Sequence, residues 1–310
     1  MFKILRMHHV GMIGLGWVGL GMAYVDSSPT PSAAVCCEAA RTKTHEHASS
    51  RPCFSSSYGV VSLSSKDGKM GIPTDKLSCH QNRREQQPVV LVSCGSFNPP
   101  TVAHMRVLEL VRDEYMRRGI DVYGAYMSPV HDAYGKESLI SGEHRLAMCH
   151  LASESSDFIM TDPWEVSQNG YTRTLYVLES IDRRLKEAFR ADEGQIVEIP
   201  RTVLVCGGDV VESMAKPDVW DQKLLEKLLC DHGVACVVRS GVCIENVLDK
   251  QGTLLHKYRD AVVVVENGDE ALQGVSSTGV RGQVRRGESP TDGVVHPAVV
   301  KYIKDNGLYT

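Results

Sequence analysis

One stretch constrains this chain more than any other: residues 89–116, VVLVSCGSFNPPTVAHMRVLELVRDEYM. Val89, Val90, Leu91 and Val92 form an unbroken apolar run, which reads as a strand buried on both faces. Gly95-Ser96-Phe97-Asn98-Pro99-Pro100 ends it, because a turn rich in glycine and proline cannot continue a strand. From there Val102, Met105, Leu108 and Val111 recur near the helical period, with Thr101 as the expected N-cap. His104 then falls in the first helical turn. A strand, a glycine turn and a helix start together aim free N–H groups and the positive end of a dipole at one point. A phosphate suits that point, and a histidine there adds a donor. The unit alone does not decide. Glycine turns join strand to helix in most α/β domains, and His104 could equally be a surface side chain.

Composition narrows the class. The 310 residues are 42% hydrophobic and 23% charged with a net charge of −4, ordinary values for a globular protein of one or two domains. A weakly acidic balance argues against nucleic acid or a membrane surface as partner. The ten cysteines are scattered, with no CxxC pair and no zinc spacing, and read as small buried hydrophobes. No metal site is expected from the sequence, and a homo-oligomer is compatible with it.

Residues 1–87 differ from the rest. An apolar, glycine-heavy run at 10–25 is too short for a confident membrane span and lacks a convincing cleavage site. It contains Gly14-Leu15-Gly16-Trp17-Val18-Gly19, a GxGxxG match, with Glu38 about where a ribose-binding acid would stand. The dinucleotide reading fails because Ser27-Ser28-Pro29-Thr30-Pro31 cuts off the required helix and no βα series follows. Residues 27–87, rich in Ser, Pro, His and basic side chains, are expected to be disordered. The expected division is therefore an extension at 1–87 and one domain at 88–310, with Met70 a credible internal start. A start at Met70 implies cytosol or nucleus, whereas a targeting role for 1–69 implies an organelle.

From Val89 on, strands and helices alternate. Strands are expected at 122–127, 158–160, 202–206, 234–238 and 261–265, and helices at 143–153, 174–191, 223–230, 278–287 and 297–306. That alternation specifies an α/β fold, a Rossmann-like doubly wound parallel sheet with helices on both faces, whose ligands sit at the C-terminal strand ends. The turns at Gly95, Ser128, Asp162, Gly207 and Val275 should converge on one cleft.

A second element carries chemistry: Val275-Ser276-Ser277-Thr278-Gly279-Val280-Arg281. Hydroxyls sit at a helix start with Arg281 one turn in, an arrangement suited to phosphate oxygens. Alone it reads as an N-cap followed by a solvated arginine. Together with Gly95-Ser96-Phe97-Asn98 and the Thr101–His104 helix start, it resembles the HxGH-type nucleotidyltransferase superfamily. Within that superfamily the chain is similar to the eukaryotic, plant-like nicotinamide mononucleotide adenylyltransferases. Ser128-Pro129-Val130-His131-Asp132-Ala133-Tyr134, Glu143-His144-Arg145, Asp162-Pro163-Trp164-Glu165, Cys206-Gly207-Gly208-Asp209, Pro217-Asp218-Val219-Trp220 and Asn306-Gly307-Leu308-Tyr309 carry the likeness in order. It runs from about Val89 to the C-terminus.

The resemblance implies an enzyme of NAD biosynthesis with a nucleotidyltransferase fold, whose partners are ATP and nicotinamide or nicotinate mononucleotide. It implies that Gly95, Ser96 and Phe97 approach the nucleotide, that His104 binds phosphate, and that Lys136 lies nearby. Tyr171 and Trp220 would stack on the pyridine ring, with Thr174 and Val219 beside them. Gly207 and Asp209 would line the floor, Asp209 taking ribose hydroxyls. Ser277, Thr278 and Arg281 would hold the β- and γ-phosphates, and Asp269 completes the nucleotide-binding set. Mg2+ would arrive on the substrate phosphates. Trp164 reads as a core or loop anchor. Ala103 replaces the superfamily's small third motif residue, and 133–138 holds one lysine where relatives carry several. The rival readings are a sister transferase with another phosphate acceptor and a non-catalytic nucleotide-binding module.

Overall fold

The computed structural model describes residues 70–78, 86–191, 198–216, 218–239, 243–269 and 274–310. Six strands form one sheet: β1 (Val89–Gly95), β2 (Val122–Pro129), β3 (Ile159–Thr161), β4 (Arg201–Gly207), β5 (Val234–Arg239) and β6 (Val262–Asn267). Their order is β3-β2-β1-β4-β5-β6, and every neighbouring pair is parallel. Between β1 and β4 the winding reverses, so the crevice for a ligand opens above Gly95 and Gly207.

The strands read as continuous apolar runs because helices cover both faces. Val90, Val92, Leu204, Cys206, Val234 and Cys236 point to one side and meet α3 (Thr174–Ala191) and α5 (Gln222–Asp231) through Leu178, Ile181, Leu185, Leu225 and Leu228. The alternate residues Val89, Leu91, Ala125, Val203, Val205 and Ala235 meet α1 (Val102–Arg117) through Leu108, Val111 and Tyr115. A third cluster joins α2 (Gly142–Ser153), α8 (Ser277–Arg285) and α9 (Pro297–Asp305) through Met148, Val280, Val299, Ile303, Leu308 and Tyr309.

Each expected strand and helix is present, with ends moved by at most three residues. Three helices were not foreseen: α4 (Gly208–Met214), α6 (Glu245–Leu248) and α7 (Leu254–Lys257). The last two have four residues each, too few to show a period, and the paired glycines at 207–208 read as a turn.

Two further differences are informative. Residues 70–78, expected to belong to the extension, are packed against the domain. Leu77 is 1% exposed in the main core, Ser78 N donates to Tyr123 O (2.8 Å), and Lys76 Nζ donates to Ser153 O (2.7 Å). Residues 1–69 and 79–85 of the expected extension, including the glycine motif at 14–19 and Glu38, lie outside the described residues. The turn at Asp162 reaches the cleft through Glu165, while Asp162 itself is fully buried and held by both arms of Arg184, Nη1 at 2.7 Å and Nη2 at 2.5 Å. A buried charge needs a partner, and here the α3 arginine supplies it.

If 70–78 belongs to the folded unit, Leu77→Ala should destabilise the full chain by about 2–5 kcal/mol in chemical denaturation. A change under about 0.5 kcal/mol would show that this segment contributes no packing.

Candidate active site

The β1–α1 turn is built to hold one histidine. Thr101 N–H and Oγ1 both lie within hydrogen-bond reach of His104 Nδ1, at 2.9 and 2.8 Å. Nδ1 therefore accepts, and the ring proton sits on Nε2, leaving Nε2–H as the ring's donor. Phe97 packs edge-on against this ring with centroids 5.2 Å apart, and is itself 1% exposed. The Phe97 side chain is thus an inner support for His104 rather than a surface for a ligand. Gly95 has a matching role: a Cβ there would lie 3.2 Å from the Phe97 ring. Burial, reinforced by the charge of Lys136, pulls the His104 pKa down to about 4. With that value the ring is an uncharged donor at neutral pH.

Asn98 ties distant segments to this turn. Its backbone carbonyl accepts from Arg281 Nη1 (2.8 Å), its Oδ1 accepts from Tyr309 Oη (2.8 Å), and its Nδ2 donates to Ser138 O (2.8 Å). Ser277 Oγ donates to the next carbonyl, Pro99 O (2.8 Å). Arg281 Nη2 also reaches Thr278 Oγ1 (3.2 Å), while its buried Nε has no partner among the described residues. Thr278 itself is exposed. Arg145, fully buried, braces the other side by donating to Ser96 O (3.1 Å), Val130 O (2.7 Å) and Asp132 Oδ1 (2.7 Å).

Three donors are electrostatically linked. Burial and the Arg281 charge lower the Lys136 pKa, with Asp209 opposing, and the same Lys136 charge acts on His104. Gly207 leaves room for Asp209, since a Cβ there would lie 2.7 Å from its Oδ1. An anion with several oxygens bound among such donors would lower the energy of each.

Beyond this end the cleft becomes apolar. Its lining includes Gly95, Ser96, Lys136, Tyr171, Thr174, Val219 and Trp220. Tyr171, 41% exposed, lies against Tyr134 with centroids 5.7 Å apart and planes tilted 33°. Trp220 Nε1 donates to Ser213 Oγ (2.9 Å), which fixes the indole edge. Cys94, Leu204 and Cys206 belong to the same walls, and Arg173 and Asp221 form an ion pair there (3.7 Å).

Asp269 pairs with Arg106 Nε on α1 (3.7 Å) and, like His104, Gly207, Asp209, Ser277, Thr278 and Arg281, is not among the residues lining this cleft. Trp164 packs on the main core with the Arg184 guanidinium over its ring (5.7 Å). From the turn that begins at Asp162, Glu165 lines the cleft. Asn98, Arg145, Glu165 and Tyr309 stood inside recognised motifs without a role. Only their long-range contacts reveal one.

The sequence matches the cytidylyltransferase-like family over residues 92–283. A nicotinamide/nicotinic acid mononucleotide adenylyltransferase of Arabidopsis thaliana is 40% identical over 239 residues, covering 77% of this chain and 97% of that one. Its namesake from Oryza sativa subsp. japonica is 39% identical over 244 residues, covering 78% and 94%. Among solved structures, the Plasmodium falciparum nicotinic acid mononucleotide adenylyltransferase complexed with NaAD has the same fold, with a TM-score of 0.52 at 18% identity over 72% of this chain and 97% of that one.

The low pKa of His104 has a consequence for stability. Because its folded value of about 4 lies below the ordinary 6.5, the neutral ring's contribution is complete above pH 6.5 and is lost as pH falls from 6.5 to 4. Relative to His104→Asn, which keeps an acceptor but does not titrate, the full chain should lose up to about 3 kcal/mol over that range. A difference constant from pH 7 to 4 would contradict the neutral assignment.

Proposed function

The chain belongs to the cytidylyltransferase-like family, and from that premise we infer its reaction: it transfers the adenylyl group of ATP to nicotinamide or nicotinate mononucleotide. The products are NAD, or its deamido form, and pyrophosphate. The observation that carries the division of labour is that Lys136, whose charge acts on His104 and is acted on by Arg281, lines the same cleft as Tyr171 and Trp220. The three donors suit a polyphosphate, and the two aromatic side chains suit a flat ring.

An oxygen of the mononucleotide 5′-phosphate attacks the α-phosphorus of ATP in line, and the bond to the β-phosphate oxygen breaks. The attacking group is already an anion, so no side chain has to take its proton. Catalysis comes from alignment and from donors placed where the leaving pyrophosphate gathers charge. His104 offers Nε2–H because Nδ1 is committed to Thr101. Lys136 and Arg281 bring charge, Thr278 a hydroxyl and Ser96 its place on the β1 turn. Asp209 and Gly207 border the ribose, and Thr174 and Val219 flank the ring.

Magnesium enters with the triphosphate, whose oxygens and water hold it, and screens the charge on the phosphates. Among the described residues no group of three His, Cys, Asp or Glu side chains that could hold a metal occurs. No described helix is long and apolar enough to cross a membrane.

The test is conversion of ATP and nicotinamide mononucleotide to NAD and pyrophosphate in equal amounts by the purified full chain. His104→Ala should lower turnover by about 100- to 1,000-fold, as loss of one oriented donor does. Turnover within a few-fold of the unaltered enzyme would remove His104 from the mechanism.

A further inference from the structure

At the ring end of the cleft one group has no place in the division of labour above. Glu165 lies on the loop after β3, is 2% exposed, and lines the wall with Cys94, Tyr134, Tyr171 and Leu175. Ser128 Oγ donates to its Oε2 (2.7 Å), the one hydrogen bond its carboxyl group makes among the described residues. The neighbouring Asp162 is already satisfied by Arg184, so that arginine is not free to pair with Glu165. Arg173 and Asp221 on the same lining pair with each other, and Lys136 lines it as well. Among the described residues Glu165 has no ion-pair partner, and it lines the pocket assigned to the ring.

The two mononucleotides differ only in the ring substituent, a neutral carboxamide or a carboxylate. Given the adenylyl-transfer reading, on which this rests, we propose that Glu165 reads that substituent. As a neutral acid it accommodates either, and once ionised it rejects the carboxylate. The physical reason is like-charge repulsion in a poorly hydrated pocket, where two anions several ångströms apart oppose each other far more than in water. A carboxamide can donate its N–H to the ionised group and is not rejected.

The charge state of Glu165 is set by every element around it. Burial pushes its pKa up to about 8, Asp162 adds to the rise, and the Ser128 hydroxyl and Arg145 on α2 oppose it. Cys94 on β1 is itself raised well above its usual value by burial, and Tyr171 is pushed up to about 12, so neither changes charge between pH 6.5 and 9.5. Lys136 and Asp209 act on phosphates and ribose, which the two substrates share, so their effects cancel in a ratio.

The experiment is the ratio of kcat/KM for nicotinamide over nicotinate mononucleotide, measured with the full chain from pH 6.5 to 9.5. The ratio should be level below pH 7 and rise roughly tenfold for each unit above about 8 while the neutral form carries nicotinate binding. In Glu165→Gln the ratio should be level throughout. Ser128→Ala, which removes the hydroxyl that favours the ionised form, should move the rise to higher pH. A level ratio in the unaltered enzyme, or the same rise in Glu165→Gln, would overturn the proposal. So would a rise that Ser128→Ala leaves in place, should the glutamine variant not fold. Turnover of neither mononucleotide would overturn the adenylyl-transfer reading itself, a result distinct from an equal use of both.

Discussion

Much of the active-site geometry depends on one buried amide. Asn98 is 2% exposed, and its side chain and carbonyl hold segments 40, 183 and 211 residues away along the chain. Each of those bonds joins a different functional part: Ser138 ends the lysine loop, Arg281 is the α8 cation, and Tyr309 closes the third hydrophobic cluster. A buried amide left without partners costs more than its bonds contribute in net stability, so the site assembles as a unit or not at all. The turn that carries Asn98 also carries Phe97, and through Phe97 the ring of His104.

That arrangement explains how a site with three donors avoids flying apart. Burial keeps His104 neutral and depresses Lys136, while Arg281 is anchored through a carbonyl rather than a carboxylate. A carboxylate partner would neutralise Arg281 and blunt its attraction for phosphate. A carbonyl orients the guanidinium and leaves its charge available. Preorganisation is thus set before any substrate arrives, at a cost in stability that the apolar cores on both sheet faces offset.

Most of the sheet was legible in the sequence, because strands covered on both faces show as apolar runs and α3 spans eighteen residues of clear period. The phosphate end was legible as well, since glycine turns and hydroxyl caps are local signals. Side-chain partnership was not. The turn at Asp162 gave no sign that Arg184, 22 positions on, holds that carboxylate. Phe97 stood inside a ligand motif, yet its ring faces the core. Asp269 turned to Arg106, and the segment 70–78 looked polar although Leu77 and Ile72 anchor it. In each case the deciding interaction joins residues far apart along the chain, where pattern and spacing carry no information.

The central claim, that the Asn98 turn assembles the phosphate end, is tested most directly by steady-state kinetics of Asn98→Ala against both substrates. The variant deletes the contacts to Tyr309 and Ser138 but keeps the carbonyl that receives Arg281. The account predicts a higher KM for ATP and a lower kcat, with KM for the mononucleotide nearly unchanged, because the ring pocket of Tyr171 and Trp220 is built on other elements. An unchanged KM for ATP with unchanged turnover would contradict it.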